Sequence, residues 1–245
     1  MRRRALVAQT RTEVLLTLRR GESVLLTLGI PALLLAFLSL ADVLPLPKGV
    51  DDPVDFLFPG ILALAVLSAA LVGPAIATGF EREYGVLKRL GVTPLGRPAI
   101  IVAKTVAVLA VELVQVILLT GIAVTLGWRP HGALVGTALL GIALATIAFT
   151  GAGLLLGGTL PGLTTLAAAN GLYVVLLLVG GMIFPLEKLP TGVRAVAHVL
   201  PSAALAEILQ HALRPGVELP ARAWIVLVVW ALALPPAAAR MFRWR

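Results

Sequence analysis

Long uninterrupted apolar runs, separated by short polar segments, dominate the chain. No charged residue occurs from Phe56 to Phe80, and none occurs from Pro130 to Leu186. The runs do not alternate between apolar and polar positions, so they favour helices over half-buried strands. A spanning helix needs about 20 apolar residues, and backbone groups within lipid must be hydrogen-bonded internally. The pattern therefore predicts a series of membrane-spanning helices.

Six spans follow from the breaks between these runs. The uncharged stretch after Pro130 is too long for one span, and Gly157-Gly158-Thr159-Leu160-Pro161-Gly162 is the turn signal that divides it. The predicted spans are residues 23–41, 56–80, 99–127, 133–156, 163–184 and 223–239. We expect one all-α membrane domain that covers residues 1–245.

Two amphipathic segments lie outside the spans. Residues 1–22 place apolar residues at roughly helical spacing between arginines, which predicts a helix at the membrane interface. A disordered basic leader is the alternative. Residues 185–222, here called the hairpin segment, are too charged to span and too apolar for an ordinary loop. They predict two short helices that dip into the membrane or cap the bundle, or a packed lid without function.

Composition and charge agree with a membrane protein. Of the 245 residues, 59% are hydrophobic and 13% are charged, whereas soluble domains have about 25% charged residues. The sequence contains no cysteine, which excludes disulfides and thiolate metal sites. The net charge is +8, but Lys and Arg cluster at span ends, where membrane topology accounts for them. We therefore expect membrane lipid, and not nucleic acid, around this chain.

The distribution of Lys and Arg predicts the orientation. With the N-terminus inside, the cytoplasmic segments hold roughly twice as many of these residues as the external ones. Both termini are then cytoplasmic, and the hairpin segment is external. Residues 81–98, here called the charged island, face the cytoplasm. Taken alone, the island is either a short amphipathic helix at the membrane face or a solvated loop whose acids balance its bases.

Polar residues inside the spans are candidates for function. Glu112 lies roughly 20 Å along its span, where a carboxylate should pair, protonate or line a wet path. Gln115 follows one turn later, and Asn170 lies in the fifth span. The three predict a polar patch along a translocation path or at a helix seam, or groups that satisfy one another between helices. Lys104 lies near the end of its span, and its side chain is expected to reach the membrane surface.

Catalytic and nucleotide-binding constellations are not visible. His131, His198 and His211 are dispersed, and the spans contain no paired carboxylates. A phosphate-binding loop needs Gly-Lys-Ser/Thr, and no lysine of this chain follows a glycine. We expect no enzyme activity and no cofactor in this chain. Gly153 and Gly157 have the small-xxx-small spacing of closely packed helices, and we expect them to pack within the bundle.

Two motifs occur in a distinctive order along this topology. The first is Phe80-Glu81-Arg82-Glu83-Tyr84-Gly85-Val86-Leu87-Lys88-Arg89-Leu90, and the second is Gly180-Gly181-Met182-Ile183-Phe184-Pro185-Leu186-Glu187-Lys188-Leu189-Pro190, followed by Leu200-Pro201. With an island after the second span and a half-buried hairpin before the sixth, the whole chain resembles the permease subunit of type-2 ABC exporters. It is similar to the daunorubicin-resistance permease group.

The resemblance implies roles for each segment. The charged island would be a coupling helix that docks in a groove of a separate ABC ATPase subunit. Residues 1–22 would be an interfacial connecting helix, and the hairpin segment a re-entrant exit gate. ATP and Mg would be bound by the ATPase, and a second copy of this chain or a related permease would complete the path. The expected ATPase-coupling residues are Glu81, Arg82, Glu83, Lys88 and Arg89, with Tyr84 and Leu87 as apolar anchors.

The expected function is therefore transport across the cell (plasma) membrane. The resemblance implies an ATP-driven exporter of an amphipathic drug, lipid or lipid-linked glycan. A stand-alone secondary transporter that uses Glu112 for proton coupling is the alternative, although the chain lacks the internal symmetry of inverted repeats. An intramembrane enzyme acting on lipids is a third hypothesis, and it lacks its expected His or acid clusters.

Overall fold

Helices make up the regular structure of this chain. The computed structural model describes residues 2–19, 21–41, 52–92, 96–130, 134–214, 216–218 and 221–242, and it contains no strand among them. The predictions for His131 and for residues 93–95 of the charged island lie outside the described residues. The helices are α1 (Arg2–Arg19), α2 (Gly21–Leu40), α3 (Pro53–Leu67), α4 (Gly73–Glu83), α5 (Val86–Gly91), α6 (Arg97–Thr125), α7 (Val135–Thr159), α8 (Gly162–Val179), α9 (Thr191–Ala197), α10 (Pro201–Leu213) and α11 (Ala221–Met241).

Two short turns of other helix types complete the described secondary structure. A π-helical turn, Ser68–Val72, joins α3 to α4 without interruption, and a 3₁₀ turn, Leu186–Lys188, precedes α9.

The helices have the length and apolarity of a membrane bundle. Within the described residues, five helices are long and apolar enough to cross a membrane: Pro53–Glu83, Arg97–Thr125, Val135–Thr159, Gly162–Val179 and Ala221–Met241. Helices α9 and α10 meet at 83° and together meet the same criterion, as a broken span or a re-entrant loop. The prediction of an all-α membrane protein is confirmed. Helix α2 contributes a shorter apolar stretch, Thr27–Leu40, so its role as the first span stays a prediction.

The second span is the centre of the bundle. Residues Pro53–Glu83 form one helix of 31 residues, and 83% of its apolar window is buried. Helices α2, α6, α7 and α10 pack around its α3 part. A helix that is apolar on every face is typical of such a central position. Its largest buried side chain, Phe58, packs against Trp128 with the ring centroids 4.7 Å apart.

Helix α7 approaches the second span very closely. A Cβ atom on Gly153 would lie 2.5 Å from the carbonyl oxygen of Leu71, and one on Gly157 would lie 2.5 Å from that of Ala75. Only residues without a side chain allow two backbones to come so near. The expectation that this glycine pair packs within the bundle is confirmed.

The helix ends differ from those of the predicted spans by up to five residues, and two of these differences have a visible cause. The second span continues to Glu83 instead of ending at residue 80, because Glu81 bonds to Lys104 on α6 and Arg82 bonds to the carbonyl oxygen of Gly158 on α7. The fifth ends at Val179 instead of residue 184, because the chain turns at Gly180 and Gly181. Apolar composition alone does not reveal either boundary.

The hairpin segment is anchored on the start of the central helix. Pro201 occupies the first turn of α10, where proline has no hydrogen bond to lose. Helix α10 packs on α3, α7 and α11. The Nε2 atom of Gln210 donates a hydrogen bond of 2.8 Å to the carbonyl oxygen of Phe56. The hairpin and the charged island therefore contact opposite ends of the same 31-residue helix.

Candidate functional site

The charged island forms a sharp corner between two helices. Helix α4 ends at Glu83, and α5 begins at Val86 after the two intervening residues Tyr84 and Gly85. Between them Gly85 has φ = 71°, in the left-handed region that glycine occupies without steric cost. The ring of Tyr84 lies beside that of Phe80, with the centroids 6.0 Å apart. The corner thus presents α5 as a short helix at the end of the central span.

Helix α5 and its flanking residues have one buried side chain and an exposed face of basic, aromatic and aliphatic residues. Leu87 is fully buried, whereas Tyr84 is 71% exposed. Lys88 and Arg89 are exposed, and Val92 is 89% exposed. The expectation that Leu87 inserts into a partner is contradicted, because its side chain holds α5 against the bundle of its own chain. Tyr84 keeps the exposure that an apolar anchor requires.

Of the charged residues before the corner, Glu81 and Arg82 bond to neighbouring helices, and Glu83 is exposed. Glu81 turns inward, and its carboxylate lies 2.9 Å from the Nζ atom of Lys104. Arg82 donates a hydrogen bond of 3.1 Å to the carbonyl oxygen of Gly158, near the end of α7. Glu83 is exposed. Four of the seven predicted coupling residues, Glu83, Tyr84, Lys88 and Arg89, therefore lie on the exposed side of the island.

Lys104 lies at the centre of a buried ion-pair cluster with Glu13 and Glu81. Its Nζ atom lies 3.2 Å from the carboxylate of Glu13 on α1 and 2.9 Å from that of Glu81 on α4. Only 4% of the Lys104 side chain is exposed, so the expectation that it reaches the membrane surface is wrong. A buried ammonium group needs paired charges, and two carboxylates supply them here. The cluster joins the N-terminal helix, the island and α6.

Glu112 and Gln115 are both buried on α6 but bond to different neighbours. The hydroxyl of Thr146 on α7 donates to a carboxyl oxygen of Glu112 at 2.5 Å. Gln115 donates a hydrogen bond of 2.8 Å to the carbonyl oxygen of Thr27 on α2. Asn170 on α8 is exposed, and its amide bonds to the carbonyl oxygen of Leu166 in its own helix. The predicted polar patch is thus a buried pair that joins three helices, and Asn170 is separate from it.

The hairpin end contains a second charged group that the sequence did not indicate. Glu207 on α10 lies 3.2 Å from Nδ1 of His198 and 3.1 Å from Nη2 of Arg222 at the start of α11. The same Nη2 lies 2.7 Å from Nδ1 of His198. Because arginine can only donate, Nδ1 accepts when it pairs with Arg222 and must carry a proton to pair with Glu207. The separations along the chain explain why no motif indicated this triad.

Two cavities lie near these charged groups. One, of about 350 Å³, lies between α1, α2, α4 and α6 and has Glu13 and Lys104 in its lining. The other, of about 500 Å³, lies under the hairpin and is lined by charged side chains that include Arg214. Burial lowers the pKa of the Arg214 guanidinium from its ordinary value, and Asp55 and Glu187 oppose this shift. Among the described residues, no group of three or more His, Cys, Asp or Glu could hold a metal ion.

Comparison with known proteins places these features in a family. The sequence model of the family described as "ABC-2 type transporter" matches residues 4–213. The match includes the N-terminal helix, the charged island, the ion-pair cluster and most of the hairpin segment. A comparison with curated proteins found no match.

Proposed function

Because this chain belongs to the ABC-2 type transporter family and is a membrane-embedded permease component of an ABC transporter, we propose that its charged island is the docking site for a separate ABC ATPase. The permeases of this family generally work with such a subunit. The cycle that we propose is export, driven by ATP that the partner binds with Mg and hydrolyses. The cargo is an amphipathic drug, lipid or lipid-linked glycan.

The observation that carries this proposal is the two-sided structure of the corner formed by Tyr84 and α5. Buried Leu87 fixes the helix to the bundle, while Tyr84, Lys88 and Arg89 point away from it. An aromatic anchor beside two basic groups has the chemistry of a protein interface, in which aromatic residues supply contact area and charges supply orientation. A partner with an acidic groove would fit this surface.

The connection between the island and the spans supports a mechanical role. Helix α4 continues through the π-helical turn into α3 as one helix. A displacement of the island would therefore be transmitted to the whole central helix. The ion pair between Glu81 and Lys104 adds a second connection, to α6. ATP-driven closure of the partner would in this way displace two spans together.

A second copy of this chain, or a related permease, completes the proposed transporter. Only 22% of the apolar window of α8 and 17% of that of α11 are buried within one chain. These faces are available to lipid or to a second permease. The exposed amide of Asn170 on α8 favours a protein neighbour for this helix, since a polar group facing lipid is unfavourable.

Charge reversal on α5 tests the docking proposal. Lys88→Glu with Arg89→Glu should reduce co-purification of the partner ABC ATPase, and the affinity for that partner should fall about tenfold or more through repulsion from an acidic groove. Transport into vesicles that contain both subunits should fall in parallel.

The matched control reverses two exposed basic residues at the other end of the bundle, Arg129→Glu with Lys188→Glu. This variant should bind the ATPase like the wild type. Equal binding by the Lys88/Arg89 variant and the wild type would contradict docking at the island.

Proton-coupled transport without an ATPase remains the second candidate, and the burial of Glu112 favours it. Its side chain is 1% exposed, and among the described residues its bonded partner is the hydroxyl of Thr146 and not a basic group. Under this alternative, the chain alone would transport its cargo in vesicles with a proton gradient, and Glu112→Gln would abolish that transport. Absence of transport by the chain alone would favour the ATP-driven proposal.

A further inference from the structure

The cavity between α1, α2, α4 and α6 has the volume and chemistry of a ligand site. Its volume of about 350 Å³ lies within the range of small-molecule pockets, roughly 300–1,000 Å³. Its walls are mostly aliphatic side chains of the second span and of α6. At one end it meets the ion-pair cluster of Glu13, Glu81 and Lys104. The cavity therefore combines a charged end with walls that are mostly aliphatic and include the hydroxyl side chains of Thr17, Thr27 and Ser68.

Small residues and the π-helical turn create this space. The lining includes Ala69, Gly73, Ala77 and Ala107, whose short side chains leave room between the helices. Gly73 is exposed, although most of the second span is buried, and a Cβ atom placed on it would meet nothing within 4 Å. A π-helical turn inside an α-helix is rare and frequently lies at a functional site. The cavity thus results from the small residues and the π-helical turn of the second span.

The charges at the polar end do not balance. Lys104 carries one positive charge, and Glu13 and Glu81 carry two negative charges when ionised. The carboxylate of Glu13 faces the cavity and accepts one hydrogen bond from Gln9 and one from Lys104. A carboxylate has about four acceptor positions, so Glu13 can take a further cationic partner. Among the described lining residues, Glu13 and Lys104 are the charged ones.

We propose that this cavity binds an amphipathic cation, with its apolar part against the second span and α6 and its positive group beside Glu13. A net charge of −1 at the end of an apolar cavity attracts a cation and repels an anion of the same shape, more strongly than in water because the site is buried. This proposal names a chemical class for the cargo. Binding of the cation does not depend on the proposed function, but its identification as cargo rests on that function.

A matched pair of ions tests the charge preference. Tetraphenylphosphonium and tetraphenylborate have nearly the same shape and opposite charge. The purified chain, without any ATPase, is placed in phosphatidylcholine nanodiscs, and binding of each ion is measured after subtraction of binding to empty discs. Saturable binding of the phosphonium cation and none of the borate anion is the expected result. Equal binding of both ions, or of neither, would overturn the proposal.

Two variants connect the binding to this cavity. Glu13→Gln removes the negative charge that faces the space and should weaken binding of the phosphonium about tenfold or more. Gly73→Leu fills the space and should abolish binding. Gly121→Leu is the matched control, because Gly121 also has open space around it but does not line the cavity. Thermal unfolding measures whether each variant folds. If Glu13→Gln does not fold, the comparison of Gly73→Leu with Gly121→Leu still tests the location of the site.

Binding that is unchanged in Gly73→Leu would refute this location for the site. Because the measurement contains no ATPase, its failure leaves docking at Lys88 and Arg89 untouched. Loss of docking in the charge-reversal variant would equally leave the binding result untouched. The two proposals can therefore fail separately.

Discussion

At the scale of single residues, Lys104 is a charged side chain buried inside the bundle. A lysine inside an apolar helix is unfavourable unless opposite charges accompany it. Glu13 and Glu81 reach it from two other helices, and the three side chains form a compact buried group. Removal of one member of such a group strongly destabilises a protein, because the remaining charges stay buried without compensation.

Lys104→Met is expected to destabilise the protein by about 3–5 kcal/mol, because two carboxylates are left facing each other in a buried site. Thermal unfolding in detergent measures this loss. The triple variant Glu13→Gln, Glu81→Gln and Lys104→Met removes all three charges and should recover most of the stability. A single variant as stable as the wild type would show that the cluster does not support the fold.

The sequence indicated Lys104, Glu112 and Gln115 as unusual, but it could not supply their partners. Glu13 is distant from Lys104 along the chain, and the hydrophobic pattern contains no information about which helices meet. The resemblance implies a partner contact for Leu87, but the spacing of Leu87 from Tyr84 is equally compatible with the inward-facing side chain that the structure shows. Polar residues in a span can thus be located from the sequence, whereas their partners can be identified only when the arrangement of the helices is known.

At the scale of elements, the contact between α7 and the second span is the closest approach described above. Gly153 and Gly157 bring the two backbones together along one stripe. The same helix also contains Gly136, around which a Cβ atom would meet nothing within 4 Å. Helix α7 therefore offers two glycines that differ in their surroundings and not in their secondary structure.

Opposite effects are expected from the same substitution at these two positions. Gly157→Ala places a methyl group against the backbone of α4 and should cost about 1–3 kcal/mol through overpacking. Gly136→Ala should be neutral or stabilise by about 0.5–1 kcal/mol, because alanine loses less conformational freedom in a helix. The midpoints of thermal unfolding compare the two variants. Equal midpoints would mean that α7 does not pack as tightly as described.

Element type was readable from the sequence, and element ends were not. Continuous apolar runs predicted helices because spanning segments must bond their own backbone. The end of α4 at Glu83 and the end of α8 at Val179 depend on contacts with Gly158 and on a turn, and both are invisible to an apolar window. The short helix α5 follows from the left-handed Gly85, which the sequence contains but does not identify as a corner.

At the scale of the whole molecule, the chain is a multi-pass membrane protein with functional groups at both ends of its bundle. The charged island and the Lys104 cluster lie at one end, and the Glu207 triad lies at the other. The balance of Lys and Arg predicts that the island end is cytoplasmic. This orientation can be tested directly because the sequence contains no cysteine.

Single cysteines placed at Lys88 and Lys188 should react from opposite sides of the membrane. Both side chains are exposed, at the island and at the hairpin respectively. A membrane-impermeant maleimide added to intact cells should label Lys188→Cys and should label Lys88→Cys only after the membrane is opened. The reverse pattern would invert the predicted topology, and it would place the island where no cytoplasmic ATPase could reach it.

Because the second span is one uninterrupted helix, a tilt at one end displaces its other end. A helix of 31 residues is roughly 45 Å long, and its two tips hold the α5 corner and the Gln210 contact with Phe56. If the α5 tip is the pivot, a tilt of roughly five degrees carries the far tip sideways by about 4 Å. That distance exceeds the length of a hydrogen bond. A small rotation of this helix about its island end would therefore be large enough to alter the Gln210 contact at the hairpin end while α3 and α4 stay helical.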